Sequence, residues 1–217
     1  MTLALLFPGQ GSQHVGMAGA LADTHEEARR TLEEADDLLG FSLSSVMAEG
    51  PEEELTATRN AQPAILTHSV AVLRVLGDRV DGFACAAGHS LGEFSAHVAA
   101  GTISFPDALR VVRHRGELMF RAGESRAGTM AAVLGLSEAE VEEALARIES
   151  GVCVPANFNA PGQVVISGDV PGVEEGAARC REAGARRVLP LEVSGGFHSP
   201  LMEPAARDLV GLAGAGA

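Results

Sequence analysis

Residues 88–93 read GHSLGE, so that Ser90 stands two residues from Gly88 and two from Gly92. The small apolar run before it reads as a strand, and the pattern from Leu91 onward as a helix. A serine on a tight turn between a strand and a helix restricts the architectures open to the chain. The strand must lie in a sheet whose carboxyl edge carries the turn, and the helix must pack back against that sheet. Taken alone, G-x-S-x-G also occurs in Gly-rich turns with no chemistry. The strand before it and the helix after it are what point to a nucleophile, because the free N–H groups and the dipole at a helix start favour developing negative charge.

The rest of the chain reads as the surroundings such a turn needs. Residues 3–7 (LALLF) form a short apolar run stopped by Pro8-Gly9, a buried strand followed by the Gly-rich loop GQGSQHVGM. Residues 20–39 are helical in pattern. Residues 63–76 (PAILTHSVAVLRVL) are so apolar that they predict a buried helix with its proline in the first turn. A second helix opens with proline at 106–121. The alternation predicts an α/β class with a mainly parallel sheet.

From Gly128 the order becomes β-α-β-β-α-β. TMAAVLG is a strand, and a helix with a Ser/Glu capping start at Ser137 follows. Next come the strands VCVPANF and QVVISG, joined by the turn-rich Asn159-Ala160-Pro161-Gly162, then a helix, then RRVLPLEV. This is the ferredoxin-like split arrangement. The expected organisation is an α/β-hydrolase-like parallel-sheet core, residues 1–127 and 192–217, carrying the nucleophile turn. A ferredoxin-like small subdomain at 128–191 is inserted into it. The tail LVGLAGAGA reads as frayed or cut short.

Composition removes several classes of function. A net charge of −13 over 217 residues, with no Trp and no Tyr, argues against nucleic-acid binding. Cys85, Cys153 and Cys180 match no metal-ligand spacing, and an odd count without a secretory signal fits free thiols in the cytoplasm. No apolar run is long enough to span a membrane.

A serine hydroxyl needs a base. Of seven histidines, His198 in SGGFHSPLM ranks first because it follows a strand in a Gly-Gly-Phe turn, and His97, two turns after Ser90, ranks second. Arg115 falls inside the apolar stripe Ala108, Leu109, Val112, Gly116, Met119 and Phe120. A guanidinium aimed inward needs an anion, either an internal carboxylate or the carboxylate of a substrate gripped by two parallel hydrogen bonds. PGQGSQ (8–13) should open at the carboxyl edge of the sheet, where α/β ligand sites lie, and it fits neither a Walker nor a dinucleotide pattern.

FPGQGSQ at 7–13, AQPAI at 61–65, GHSLGE at 88–93, RGELM at 115–119, NAPGQVVISG at 159–168 and GGFHSPLM at 195–202 occur in that order. Together they closely resemble the malonyl-CoA:acyl carrier protein transacylases and the related acyltransferase domains of polyketide synthases, over essentially the whole chain. The resemblance implies Ser90 as nucleophile, His198 as its base, and the backbone N–H groups of Gln10 and Leu91 as oxyanion hole. It implies Arg115 as the partner of the malonate carboxylate. It also places Phe197 at a position tied to malonyl rather than methylmalonyl preference, and Asn159 and Gln163 among polar pocket residues.

The implied reaction carries malonyl from malonyl-CoA to phosphopantetheinylated acyl carrier protein, in fatty-acid or polyketide synthesis, with no metal or redox cofactor. An acidic carrier would need a local basic surface, for which Arg110, Arg113, Arg121, Arg126, Arg179, Arg181, Arg186 and Arg187 are candidates. Family members continue well past the position where this chain stops, through the residue whose backbone orients the histidine. Little transfer is therefore expected of this chain unless a second chain supplies that part. The alternatives are a serine hydrolase or thioesterase, which has no need of Arg115, and an inactive fragment that only binds the carrier.

Overall fold

The computed structural model describes residues 2–215, with the side chains of 212–215 left aside. The chain divides into two compact units between Glu117 and Leu118.

The first unit begins with strand β1 (Ala4–Phe7), followed by five helices: α1 (Gly19–Thr24), α2 (Glu26–Leu39), α3 (Leu43–Glu49), α4 (Glu52–Thr56) and α5 (Thr58–Leu76). Strand β2 (Cys85–Gly88) and helices α6 (Gly92–Ala99) and α7 (Phe105–Ser125) complete it, the unit boundary falling inside α7. β1 and β2 pair in parallel, Ala4 opposite Cys85 through Phe7 opposite Gly88. Strand–helix alternation is thinner than the sequence pattern predicts, with two strands among the described residues of this unit and a run of helices between them.

The single helix expected at 20–39 is two. The backbone is extended at His25 (φ −130°), where the Thr24 hydroxyl folds back on the carbonyls of Ala20 and Leu21. Such side-chain bonds compete with helix propagation.

Helix α5 also departs from expectation. It starts five residues before Pro63, which lies inside it. Proline there deprives the Arg59 carbonyl of its helical donor. That carbonyl instead accepts from Arg113 Nη1 of α7 at 3.0 Å. The compensation comes from 54 positions away in sequence, out of reach of a local rule. The core of the unit gathers Leu43, Met47, Leu55, Leu66, Leu91, Leu109 and Val112, all almost wholly inaccessible.

The second unit contains strands β3 (Gly128–Leu134), β4 (Cys153–Ala160), β5 (Gln163–Asp169) and β6 (Arg187–Pro190), with helices α8 (Glu138–Leu145), α9 (Val170–Glu182) and α10 (Glu203–Ala215). The sheet order β4-β5-β3-β6, antiparallel throughout, is that of the ferredoxin-like split β-α-β unit. The period of two sorts its side chains cleanly. Ala131, Val133, Val164 and Ile166 face α8 and α9, through Val141, Leu145, Val173 and Cys180. Met130, Ala132 and Val165 face the other way, onto Met119, Phe197, Leu201 and Met202.

Both helices have the caps their sequences promise. Ser137 and Glu140 close a capping box on α8, and Asp169 accepts from Gly172 N at 3.1 Å at the start of α9. The stretch after β6, read from sequence as returning to the first core, belongs to this second unit. A Cβ on Gly196 would lie 2.4 Å from the Gly168 carbonyl oxygen, and Leu201 and Met202 pack under the sheet. The expected frayed tail is helical through Ala215, and residues 216–217 lie outside the described part.

Candidate active site

The turn from β2 into α6 is built from close backbone approaches. Ser90 has φ +51°, a left-handed conformation that costs a non-glycine residue about 1–3 kcal/mol. His89 N–H donates to Phe7 O at 3.0 Å, tying the turn to the end of β1. A Cβ on Gly92 would lie 2.3 Å from the Phe7 carbonyl oxygen, and one on Gly88 would lie 1.8 Å from the Gly92 carbonyl carbon. Both outer glycines of G-x-S-x-G are therefore required, which turns a weak pattern into a strained nucleophile turn.

The Leu91 side chain is buried in the core while its N–H stands at the start of α6. The loop after β1 is fastened beside it. Ser12 Oγ donates to Gly9 O at 2.9 Å, Gly11 N–H to Gln13 Oε1 at 2.8 Å, and Gln10 Nε2 to Thr58 Oγ1 at 3.1 Å. A Cβ on Gly9 would meet the His89 carbonyl oxygen at 2.5 Å, so this loop and the serine turn touch through backbone. Within the described residues, the backbone N–H groups of Gln10 and Leu91 take part in no hydrogen bond.

Arg115 reaches this turn from α7. Its Nη2 donates to Ser90 Oγ at 3.1 Å and its Nη1 to Gln62 Oε1 at 2.5 Å, with the Phe94 ring centroid 5.9 Å from its Cζ. Burial lowers the Arg115 pKa and the field of Glu93 raises it, leaving a guanidinium that is charged at any physiological pH. No acidic group lies within ion-pair distance of it among the described residues. Of the two anions open to Arg115 at the level of sequence, the internal carboxylate is absent from its contacts here.

Sequence reasoning missed Gln62 as a contributor. It is 1% exposed, between the equally buried Asn60 and the apolar run that starts at Pro63, and a polar residue at the edge of a stretch that must be buried was the available signal.

In the second unit His198 is exposed, with φ +57°, in a loop pinned by its neighbours. Ser199 Oγ donates to Gly196 O at 2.5 Å, and Phe197 N–H to Gly195 O at 3.0 Å. Phe197 is 5% exposed, in the cluster with Met119, Met130 and Met202. Asn159 and Gln163 are exposed at the hairpin end of β4 and β5, whereas Gly196 rests on Gly168 near the other end of β5, about 16 Å along the strand.

His97, the second-ranked base, closes the end of α6 instead. Its Nδ1 is 2.8 Å from Thr102 Oγ1, and its carbonyl accepts from Thr102 N–H and Oγ1, both at 3.0 Å. Of the candidate docking arginines, Arg110, Arg113, Arg126 and Arg179 are already paired with Asp107, Glu117, Asp169 and Glu175. Arg121, Arg181, Arg186 and Arg187 are exposed and have no acidic partner among the described residues.

Comparison with known proteins gives a consistent result. The family described as acyl transferase domain matches residues 4–212. The malonyl CoA-acyl carrier protein transacylase of Bacillus subtilis is 49% identical over 209 residues, covering 95% of this chain and 66% of that protein. The crystal structure of an acyl carrier protein S-malonyltransferase from Vibrio cholerae superposes with a TM-score of 0.92 at 44% identity, over 98% of this chain and 70% of that one. A malonyl-transacylase solved in complex with its type II polyketide synthase acyl-carrier protein gives 0.93 at 44% identity, over 99% and 70%. The chain spans about two thirds of the length of the curated relatives it matches.

Proposed function

The chain belongs to the acyl transferase domain family, and from that premise we propose that it moves a malonyl group from malonyl-CoA to the phosphopantetheine thiol of acyl carrier protein. The observation that carries this reading is the Arg115 guanidinium, without an acidic partner among the described residues, 3.1 Å from the hydroxyl of a serine on a strained turn. An acyl group bound to that serine and ending in a carboxylate would satisfy the charge beside it.

Ser90 gives its proton to His198 and attacks the thioester carbon. The oxyanion is held by the Leu91 and Gln10 N–H groups, and removal of one such donor elsewhere costs about 3–4 kcal/mol. CoA thiol departs and a malonyl ester remains on Ser90. The carrier thiol then attacks that ester, His198 moving the proton in the opposite sense, and Ser90 is regenerated. Both steps pass an acyl group between sulfur and oxygen, so the chemistry calls for no metal or redox cofactor. Phe197 restricts the room beside the acyl α-carbon. The relatives' names and the solved carrier complex support the carrier as partner. Arg186 and Arg187, with Arg181, are its docking surface on the second unit, and three free thiols fit a reducing cytoplasm.

The test is intact mass after mixing with malonyl-CoA. A malonyl adduct should form, vanish in Ser90→Ala, and fall about a hundredfold in rate in Arg115→Ala while acetylation from acetyl-CoA is retained. Turnover of simple acyl esters unaffected by Arg115→Ala would instead identify a hydrolase. Carrier binding without any adduct would identify a docking fragment.

A further inference from the structure

The first turns of α5 contain a break and a side chain that closes it. Pro63 strips the Arg59 carbonyl of its helical donor, and Arg113 Nη1 replaces it at 3.0 Å while also reaching Asn60 Oδ1 at 2.7 Å. Arg113 is itself fixed, by Glu117 at 2.9 Å and by the Phe41 ring centroid 4.9 Å from its Cζ. Gly116 permits this approach, since a Cβ there would lie 2.8 Å from the Thr58 carbonyl oxygen.

Two positions after Arg113, Arg115 meets the same segment of α5 through Gln62, the residue directly before the proline. The Gln62 amide oxygen is neutral. It fixes one edge of the guanidinium and leaves its charge uncancelled, which a carboxylate at that position would not do.

We propose that Gln62 is a positioning residue that sets the direction of Arg115, and that Arg113 holds Gln62 in place by closing the break at Pro63. Selectivity for an acyl group ending in a carboxylate then depends on α5 as well as on the arginine. This rests on the reading of Arg115 as the carboxylate-binding residue.

Gln62→Glu is nearly isosteric and places a carboxylate on Arg115. Arg113→Met keeps a long apolar stem over Phe41 and removes the donors. The full chain and each variant are mixed with malonyl-CoA or acetyl-CoA, and acylation of Ser90 is followed by mass. Gln62→Glu should lower the malonyl-to-acetyl rate ratio about tenfold or more, the size expected when a charge-assisted contact is cancelled. Arg113→Met should lower the same ratio by less, and Arg113→Lys should restore part of it. An unchanged ratio in Gln62→Glu, or a parallel fall of both rates with a lower melting temperature, overturns the proposal in favour of a purely structural role.

If neither thioester acylates the wild-type chain, the assignment of Ser90 fails separately. The proposal is then decided by calorimetry with malonate and acetate. Malonate binding that weakens about tenfold in Gln62→Glu supports it, whereas equal binding by the two proteins, or none by the wild type, overturns it.

Discussion

Ser90 shows how much of a site can be held by atoms that are missing. The turn exists because Gly88 and Gly92 lack side chains at places where a Cβ would meet backbone at 1.8 and 2.3 Å. Backbone cannot step aside as the end of a flexible side chain can. Gly92→Ala should therefore lower unfolding stability by about 4 kcal/mol or more, far beyond an ordinary surface substitution, as measured by urea denaturation. Ser90→Ala should cost only about 1–2 kcal/mol by the same measurement, since alanine removes one acceptor of Arg115 but meets no backbone. These two outcomes separate the scaffold of the turn from its chemistry.

At the level of elements, helix ends and the loops against them are held by single carboxylates. Glu175 of α9 accepts from the N–H of Glu149 at 3.1 Å and of Ser150 at 2.9 Å, and from the Ser150 hydroxyl at 2.5 Å. Those hydrogen bonds, that from the Ser150 side chain first, hold its carboxyl at about 2 against an ordinary 4.5. The folded pKa is depressed, so the stabilisation is complete above about pH 4.5 and is lost as pH falls toward 2. Thermal unfolding followed from pH 6 to pH 2 should show a decline in this window that is shallower in Glu175→Gln. An identical profile in the two proteins would remove the clamp as its cause. Asp169 works in the same sense at the start of α9, its carboxyl lowered first by the Val152 N–H and further by Gly172 N–H and Arg126.

Over the whole molecule, charge poses a problem that internal ion pairs do not relieve. A chain with 29 acidic and 16 basic residues repels an acidic partner at long range. Most arginines on its helices are already committed to neighbours, and exposed pairs of this kind add little stability. Arg121, Arg181, Arg186 and Arg187 have no acidic partner among the described residues, and the adjacent Arg186 and Arg187 concentrate that charge most. Their double replacement by glutamate should weaken carrier-protein binding about tenfold at low salt, with the difference shrinking as ionic strength rises. Equal binding by the two proteins across the salt range would place docking elsewhere.

Sequence alone was enough wherever the deciding contacts are close in the chain or repeat with a period. The serine turn spans five residues, and the capping box at Ser137 spans four. The alternation in β3 and β5 reports directly which face each side chain takes, and the helical stripe of α7 placed Arg115 inward. The tertiary structure decided what depends on groups brought together from afar. Pro63 sits inside α5 because Arg113, 50 positions later in the chain, supplies a donor to Arg59. Gln62 meets Arg115 across 53 positions, and the stretch after β6 joins the second unit through Gly196 against Gly168. A local pattern carries the preference of each segment. It cannot carry the partner that satisfies a stranded carbonyl or aims a guanidinium, because that partner becomes a neighbour only when the chain has folded.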